Sequence, residues 1–99
     1  MKTYFLKLKT PRPDFIQTIT PTEVAMMQAH AAYWKDLMGK GIALAFGPVM
    51  APGESFGLGI MRLEDGVDPA PYVAGDPAIK ANVGMSYEIG VMPMGVILK

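Results

Sequence analysis

Thr20–Gly41 reads TPTEVAMMQAHAAYWKDLMGKG, and everything else in the chain must be arranged around it. Thr20 suits a helix N-cap, Pro21 suits the first helical position, and Glu23 completes a capping box. Gly39 and Gly41 mark the other end, with Lys35 and Lys40 near the negative pole of the helix. The spacing predicts a helix running to about Met38. At about 100° per residue, Met26, Met27, His30, Tyr33, Trp34 and Leu37 fall on one face, opposite Gln28, Lys35 and Asp36. His30 is the one histidine of the chain, and it sits near the middle of the apolar face.

Strands surround this helix. Before it, KTYFLKLKT (Lys2–Thr10) alternates Tyr4, Leu6 and Leu8 against Phe5, Lys7 and Lys9, the pattern of a half-buried strand. PRPDFIQTI then reads as a proline-punctuated loop. After the helix, IALAFGPV (Ile42–Val49) is a short apolar strand stopped by Gly47 and Pro48. MAPGE is a turn, and SFGLGIMRLE (Ser55–Glu64) is a return strand. The prolines and glycines of DGVDPAPYVAGDPAIKAN predict a short, broken helix from about Pro69 to Ala74, then a turn or brief second helical piece near Asp76 to Ala81. MSYEIGVMPM is the last main strand, and GVILK is a candidate for a small extra strand.

Strand, helix, strand, strand, helix, strand is an α+β order. Its simplest solution is a ferredoxin-like four-stranded antiparallel sheet with two helices on one face. Residues 1–99 leave room for a single domain. Gly57, Gly59, Met61, Leu63, Ala43 and Ala45 form a set unsuited to water, and they are expected on the uncovered sheet face. A second sheet should cover that face, which predicts a homodimer packed sheet to sheet.

Composition narrows the function. Hydrophobic residues make up 51% of the chain, more than a small monomer needs, which again favours a dimer. Nine basic residues balance nine acidic ones without a basic stripe, so no nucleic-acid partner is expected. No apolar run approaches a membrane span. The start, MKTYFLKLK, alternates where a signal peptide is continuously apolar, so the expected location is cytoplasmic. There is no cysteine, which excludes disulfides, iron–sulfur clusters and thiol chemistry. One histidine and no carboxylate cluster give no three-ligand metal site, and no cofactor motif is present: GLG in SFGLGI has no lysine or helix start after it.

A buried imidazole needs a hydrogen-bond partner. Asp76, in the broken segment, could supply one, and a histidine oriented by a carboxylate is a competent general base. The opposing reading is a satisfied core histidine. Arg12, in TPRPDF, could hold an anion through its two-pronged guanidinium, or be a solvated loop residue.

Taken together, PRPDF, TPTEVAMMQAHAAYWKDLMGKG, AFGPV, FGLGIMRLE and GDPAIKANVGMSYEIGVMPM resemble the YciI-like, or YCII-related, family over nearly the whole chain. The most telling marks are the mid-helix histidine, the Gly-Pro after the second strand, and the Asp-Pro near the end of the second helix. The resemblance implies a dimeric α/β barrel related in fold to muconolactone isomerase, with a histidine–aspartate pair in a pocket, here His30 and Asp76. It departs at DPAPYVAG, which is richer in proline and glycine than the family's usual second helix. The expected function is a small enzyme, an isomerase or a dehydrohalogenase-like lyase, acting on a small organic molecule. Tyr33, Trp34, Phe46 and Met27 would wall the pocket, Gly47 would line its mouth, and Arg12 would hold a substrate carboxylate. The alternative is a non-enzymatic ligand-binding or structural dimer.

Overall fold

A computed structural model of the protein describes residues 1–93. The chain runs β1 (Lys2–Lys9), α1 (Phe15–Thr18), α2 (Pro21–Gly39), β2 (Ala43–Ala51), β3 (Glu54–Leu63), α3 (Ala70–Gly75), α4 (Pro77–Lys80) and β4 (Ser86–Val91). The four strands form one antiparallel sheet in the order β2-β3-β1-β4, the ferredoxin-like arrangement, with helices over one face. GVILK lies outside the described residues.

Helix α2 starts and stops where its side chains dictate. Thr20 accepts from the Glu23 backbone N–H, and the Glu23 carboxylate accepts from the Thr20 N–H. At the other end Gly41 takes φ 75°, a conformation open to glycine at little cost. There the Gly41 N–H bonds to the Met38 carbonyl and the Ile42 N–H to the Leu37 carbonyl, a Schellman closure. Among the described residues, no helix is long and apolar enough to cross a membrane.

The inward stripe of α2, His30, Trp34 and Leu37, packs on the inward alternation of β1, Tyr4, Leu6 and Leu8. One core cluster joins Tyr4, Leu6, Trp34, Leu37, Ala43, Met61 and Leu63. A second joins Leu8, Phe15, Ala78 and Met85. Phe15 belongs to α1, a single helical turn in the stretch expected to be a loop; its ring is buried, and burying an aromatic side chain is reason enough for that turn to form.

The two sheet faces differ from expectation. Met61, Gly59 and Gly57 pair with Tyr4, Leu6 and Leu8, so they lie on the helix-covered face together with Leu63 and Ala43. The glycines belong there because large neighbours fill their space: a Cβ on Gly59 would collide with the Trp34 indole, and one on Gly57 would press on Leu8. A bulge in β2 separates Ala43, opposite Met61, from Ala45, opposite Ile60. The extra residue reverses the alternation. Ala45 therefore turns to the open face, while Phe46 and Pro48 turn toward the helices. The open face instead carries Phe5, Lys7, Phe56, Leu58, Ile60 and Arg62, all half-buried.

Candidate functional site

Asp76 sits at the joint between the two short helices. Gly75 ends α3, Asp76 is extended with φ −68° and ψ 128°, and Pro77 opens α4. As the N-cap of α4, the Asp76 carboxylate accepts from the Ala78 N–H at 2.9 Å. The cap points the carboxylate at α2, where His30 Nδ1 lies 2.9 Å from each of its oxygens. Trp34, one helical turn beyond His30, donates its indole Nε1–H to Oδ2 at 3.1 Å. Tyr87, from β4, approaches from the sheet and donates its hydroxyl to the same oxygen at 2.5 Å.

These contacts assign the protons. An indole N–H can only donate, and Trp34 also reaches the Tyr87 hydroxyl oxygen at 3.1 Å. The Tyr87 proton must therefore go to Asp76. With Ala78, Trp34 and Tyr87 donating, the carboxylate acts as an anionic acceptor, and His30 Nδ1 must donate to it as well. In the neutral imidazole that leaves Nε2 as the nitrogen carrying a lone pair, with no protein partner among the described residues. Asp76 is 1% exposed. Burial alone would raise its pKa, but the hydrogen bonds from His30, Tyr87 and Ala78 together outweigh it and hold the carboxyl below the ordinary aspartate value. For Tyr87 the causes add: burial first, then the hydrogen bond to the Asp76 anion, push the phenol pKa above its usual value.

His30 lines a cavity of about 200 Å³. Its walls come from β1 (Leu8), α1 (Phe15 and Ile16), α2 (Met27) and the turned edge of β2 (Phe46). His30 is the one titratable side chain among the residues that line it. Among the described residues, no three histidine or carboxylate side chains converge as a metal site would need.

The expected site residues distribute unevenly. His30 and Asp76 are joined, and Phe46 and Gly47 line the cavity. A Cβ on Gly47 would meet nothing within 4 Å. Trp34 is not a wall of this cavity; it stacks on Phe46 with ring centroids 6.0 Å apart and lines a smaller neighbouring pocket. Tyr33 lies off the cavity, its hydroxyl donated to the Tyr72 carbonyl at 2.7 Å. Arg12 also lies off the cavity. Its guanidinium grips both Glu23 oxygens, at 2.8 and 2.7 Å, and the Thr18 hydroxyl and carbonyl. That fork holds α1 against the start of α2, and the hydrogen bonds from Arg12 first and the Thr20 backbone N–H next lower the Glu23 pKa to about 2. Four of the five N–H donors of Arg12 are spent on the protein, and its charge is paired with Glu23, so it is not free to grip a substrate carboxylate with two prongs.

Tyr87 was not among the expected site residues. Strand alternation places it on the inward face with Leu8, but its reach to Asp76 depends on the β1–β4 register, which no local pattern states.

A family model described as the YCII-related domain matches residues 3–93. No curated protein matches. Among solved structures, a 5-chloro-2-hydroxyhydroquinone dehydrochlorinase from Burkholderia phenoliruptrix AC1100, in complex with 2,5-dihydroxybenzoquinone, is similar at a TM-score of 0.56. Its identity is 23%, over 86% of this chain and 90% of that one, which makes the fold a shared one. A formyltetrahydrofolate deformylase from Pseudomonas putida KT2440 gives a TM-score of 0.47 at 19% identity, over 89% of this chain and 28% of that one.

Proposed function

This chain belongs to the YCII-related domain family, and from that premise we propose that it is a small enzyme of the lyase or isomerase type. His30, oriented by Asp76, takes a proton from a small organic molecule held in the apolar cavity. The observation that carries this reading is the division between the two imidazole nitrogens of a cavity-lining histidine: Nδ1 is committed to Asp76, and Nε2 has no protein partner among the described residues. Nε2 would remove a proton from carbon beside a carbonyl or beside a leaving group. The C–H electron pair then moves into a new double bond, giving an enol-type intermediate or expelling the leaving group. The imidazolium formed is neutralised by the Asp76 anion.

The cavity sets the kind of molecule. Its lining offers no cation, and Arg12 is engaged by Glu23, so the favoured substrate is uncharged. A dehydrochlorinase with a similar fold makes elimination one of the reactions worth testing, although shared fold alone does not transfer activity. The same reading has the protein working as a homodimer through the open sheet face, in the cytoplasm, without metal, cofactor, nucleic acid or membrane.

A second reading is a non-enzymatic ligand-binding dimer. It is favoured by the capping role of Asp76, which gives the aspartate a structural use independent of chemistry. The two readings part in one experiment. Small uncharged lactones, hydroxylated quinones and halogenated phenols are screened against wild type, His30→Ala and Gly47→Val. For an enzyme, His30→Ala loses turnover by about 100-fold or more while still binding ligand. Gly47→Val, with open space at its Cβ, loses ligand binding without losing its fold. Ligand binding with no turnover in any variant selects the second reading.

A further inference from the structure

The His30–Asp76 pair does not stand alone. Oδ2 of Asp76 carries three contacts, from His30 Nδ1, Trp34 Nε1 and the Tyr87 hydroxyl, and the tyrosine contact is the shortest of them. Trp34 divides one N–H between two acceptors at 3.1 Å each, so it binds neither strongly. Tyr87 gives its single proton to one anionic oxygen, the arrangement of a strong charge-assisted bond. We infer that Tyr87 is a positioning residue of the site: by donating to Oδ2 it tempers the Asp76 anion, so that the carboxylate orients His30 through Nδ1–H without over-stabilising the imidazolium, and Nε2 is left as a bare acceptor. This deepens the general-base reading and rests on it for its use, although the proton placement itself does not.

The mechanism is competition for one carboxylate. Each donor on Oδ2 withdraws electron density that would otherwise stabilise a protonated imidazole. With Tyr87 in place, Asp76 orients His30 yet holds its proton with restraint. Without the hydroxyl, the same carboxylate attracts the imidazolium more strongly, and the histidine gives up its proton less readily. Few other groups can set this balance. The titratable neighbours facing Asp76 are His30 and Tyr33 from α2 and Tyr87 from β4, and α4 contributes the Ala78 N–H. The Tyr33 hydroxyl is occupied by the Tyr72 carbonyl. Burial keeps Tyr87 in its protonated, donating form, so the restraint does not switch off over the range in which a histidine works.

The chain has one histidine, so an imidazole ¹⁵N NMR titration reads the site without assignment. In wild type the neutral imidazole should carry its proton on Nδ1. In Tyr87→Phe the titration midpoint should rise by about half a pH unit, roughly a threefold change in proton affinity. Replacing the four tyrosines by 3-fluorotyrosine, a more acidic and stronger donor, should move the midpoint down. The same replacement in Tyr87→Phe should leave it unmoved. Superimposable curves for wild type and Tyr87→Phe overturn the inference, as does a fluorotyrosine shift that persists in Tyr87→Phe. If Tyr87→Phe does not fold, the fluorotyrosine arm decides by itself: a downward shift supports the assignment, and no shift overturns it. None of these measurements needs a substrate. Failure of the enzyme reading therefore appears separately, as a ligand screen without turnover beside an intact titration shift.

Discussion

Asp76 combines deep burial with a full set of donors, and that combination makes its charge a stabilising feature. Its folded pKa lies below the unfolded aspartate value of about 3.9, because the donors from His30, Tyr87 and Ala78 together outweigh the cost of burial. For a depressed carboxylate, the unfolded state binds the proton first as acid is added. The stabilising contribution is thus complete above about pH 4 and is lost as the pH falls through the folded value. Asp76→Asn should lower stability at neutral pH by about 1–3 kcal/mol, since an amide presents donors to the Tyr87, Trp34 and His30 donors. The gap between wild type and variant should narrow on going below about pH 4. Urea unfolding across pH 2–7 checks this, and parallel stability curves would refute it.

At the scale of elements, strand β3 shows how a side chain and a missing side chain are fitted together. The Trp34 indole lies against the backbone of Gly59, which lets its Nε1 reach Asp76. Gly59→Ala should destabilise the protein by about 1–3 kcal/mol through overpacking and should displace the indole from the carboxylate. Thermal unfolding together with the indole N–H resonance checks both effects; an unchanged resonance would show that the close approach is not what aims Trp34. The same strand marks where the sequence is legible and where it is not. Alternation in β1 and the capping box of α2 are local, and both appear as expected. Pro71 stands in the first turn of α3, where the missing N–H of proline leaves no helical hydrogen bond unmade. The inward placement of Gly57 and Gly59 depends on Trp34 and Leu8, distant in sequence, and the β2 bulge reverses a face without any local signal. Burial of Phe15 and the capture of Arg12 by Glu23 are likewise tertiary events, invisible to a pattern of prolines. The His30–Asp76 juxtaposition was indicated by the family resemblance, whereas its completion by Tyr87 required the β1–β4 register.

At the scale of the whole molecule, the helices cover one sheet face and leave Phe5, Phe56, Leu58 and Ile60 on the other. Lys7, on the same face, lies 4.6 Å from the Phe56 ring centroid and pairs with Glu54. Among the described residues, the Arg62 Nε on this face is buried without a partner. A symmetric partner sheet would cover these side chains, and we expect a two-fold dimer burying more than about 1,000 Å². Ile60→Lys should convert it to a monomer by placing a charge in the centre of the contact. Sedimentation velocity checks both species, and a wild-type monomer at micromolar concentration would refute the dimer. The placement of Trp34 has a practical consequence beyond architecture. It is the one tryptophan in the chain, it hydrogen-bonds Asp76, and its ring centroid lies 6.4 Å from that of His30. All indole emission of this protein therefore originates beside the candidate site. Protonation of the histidine and arrival of a light-absorbing ligand would each change its brightness, so the unlabelled protein carries its own optical gauge of what the cavity holds.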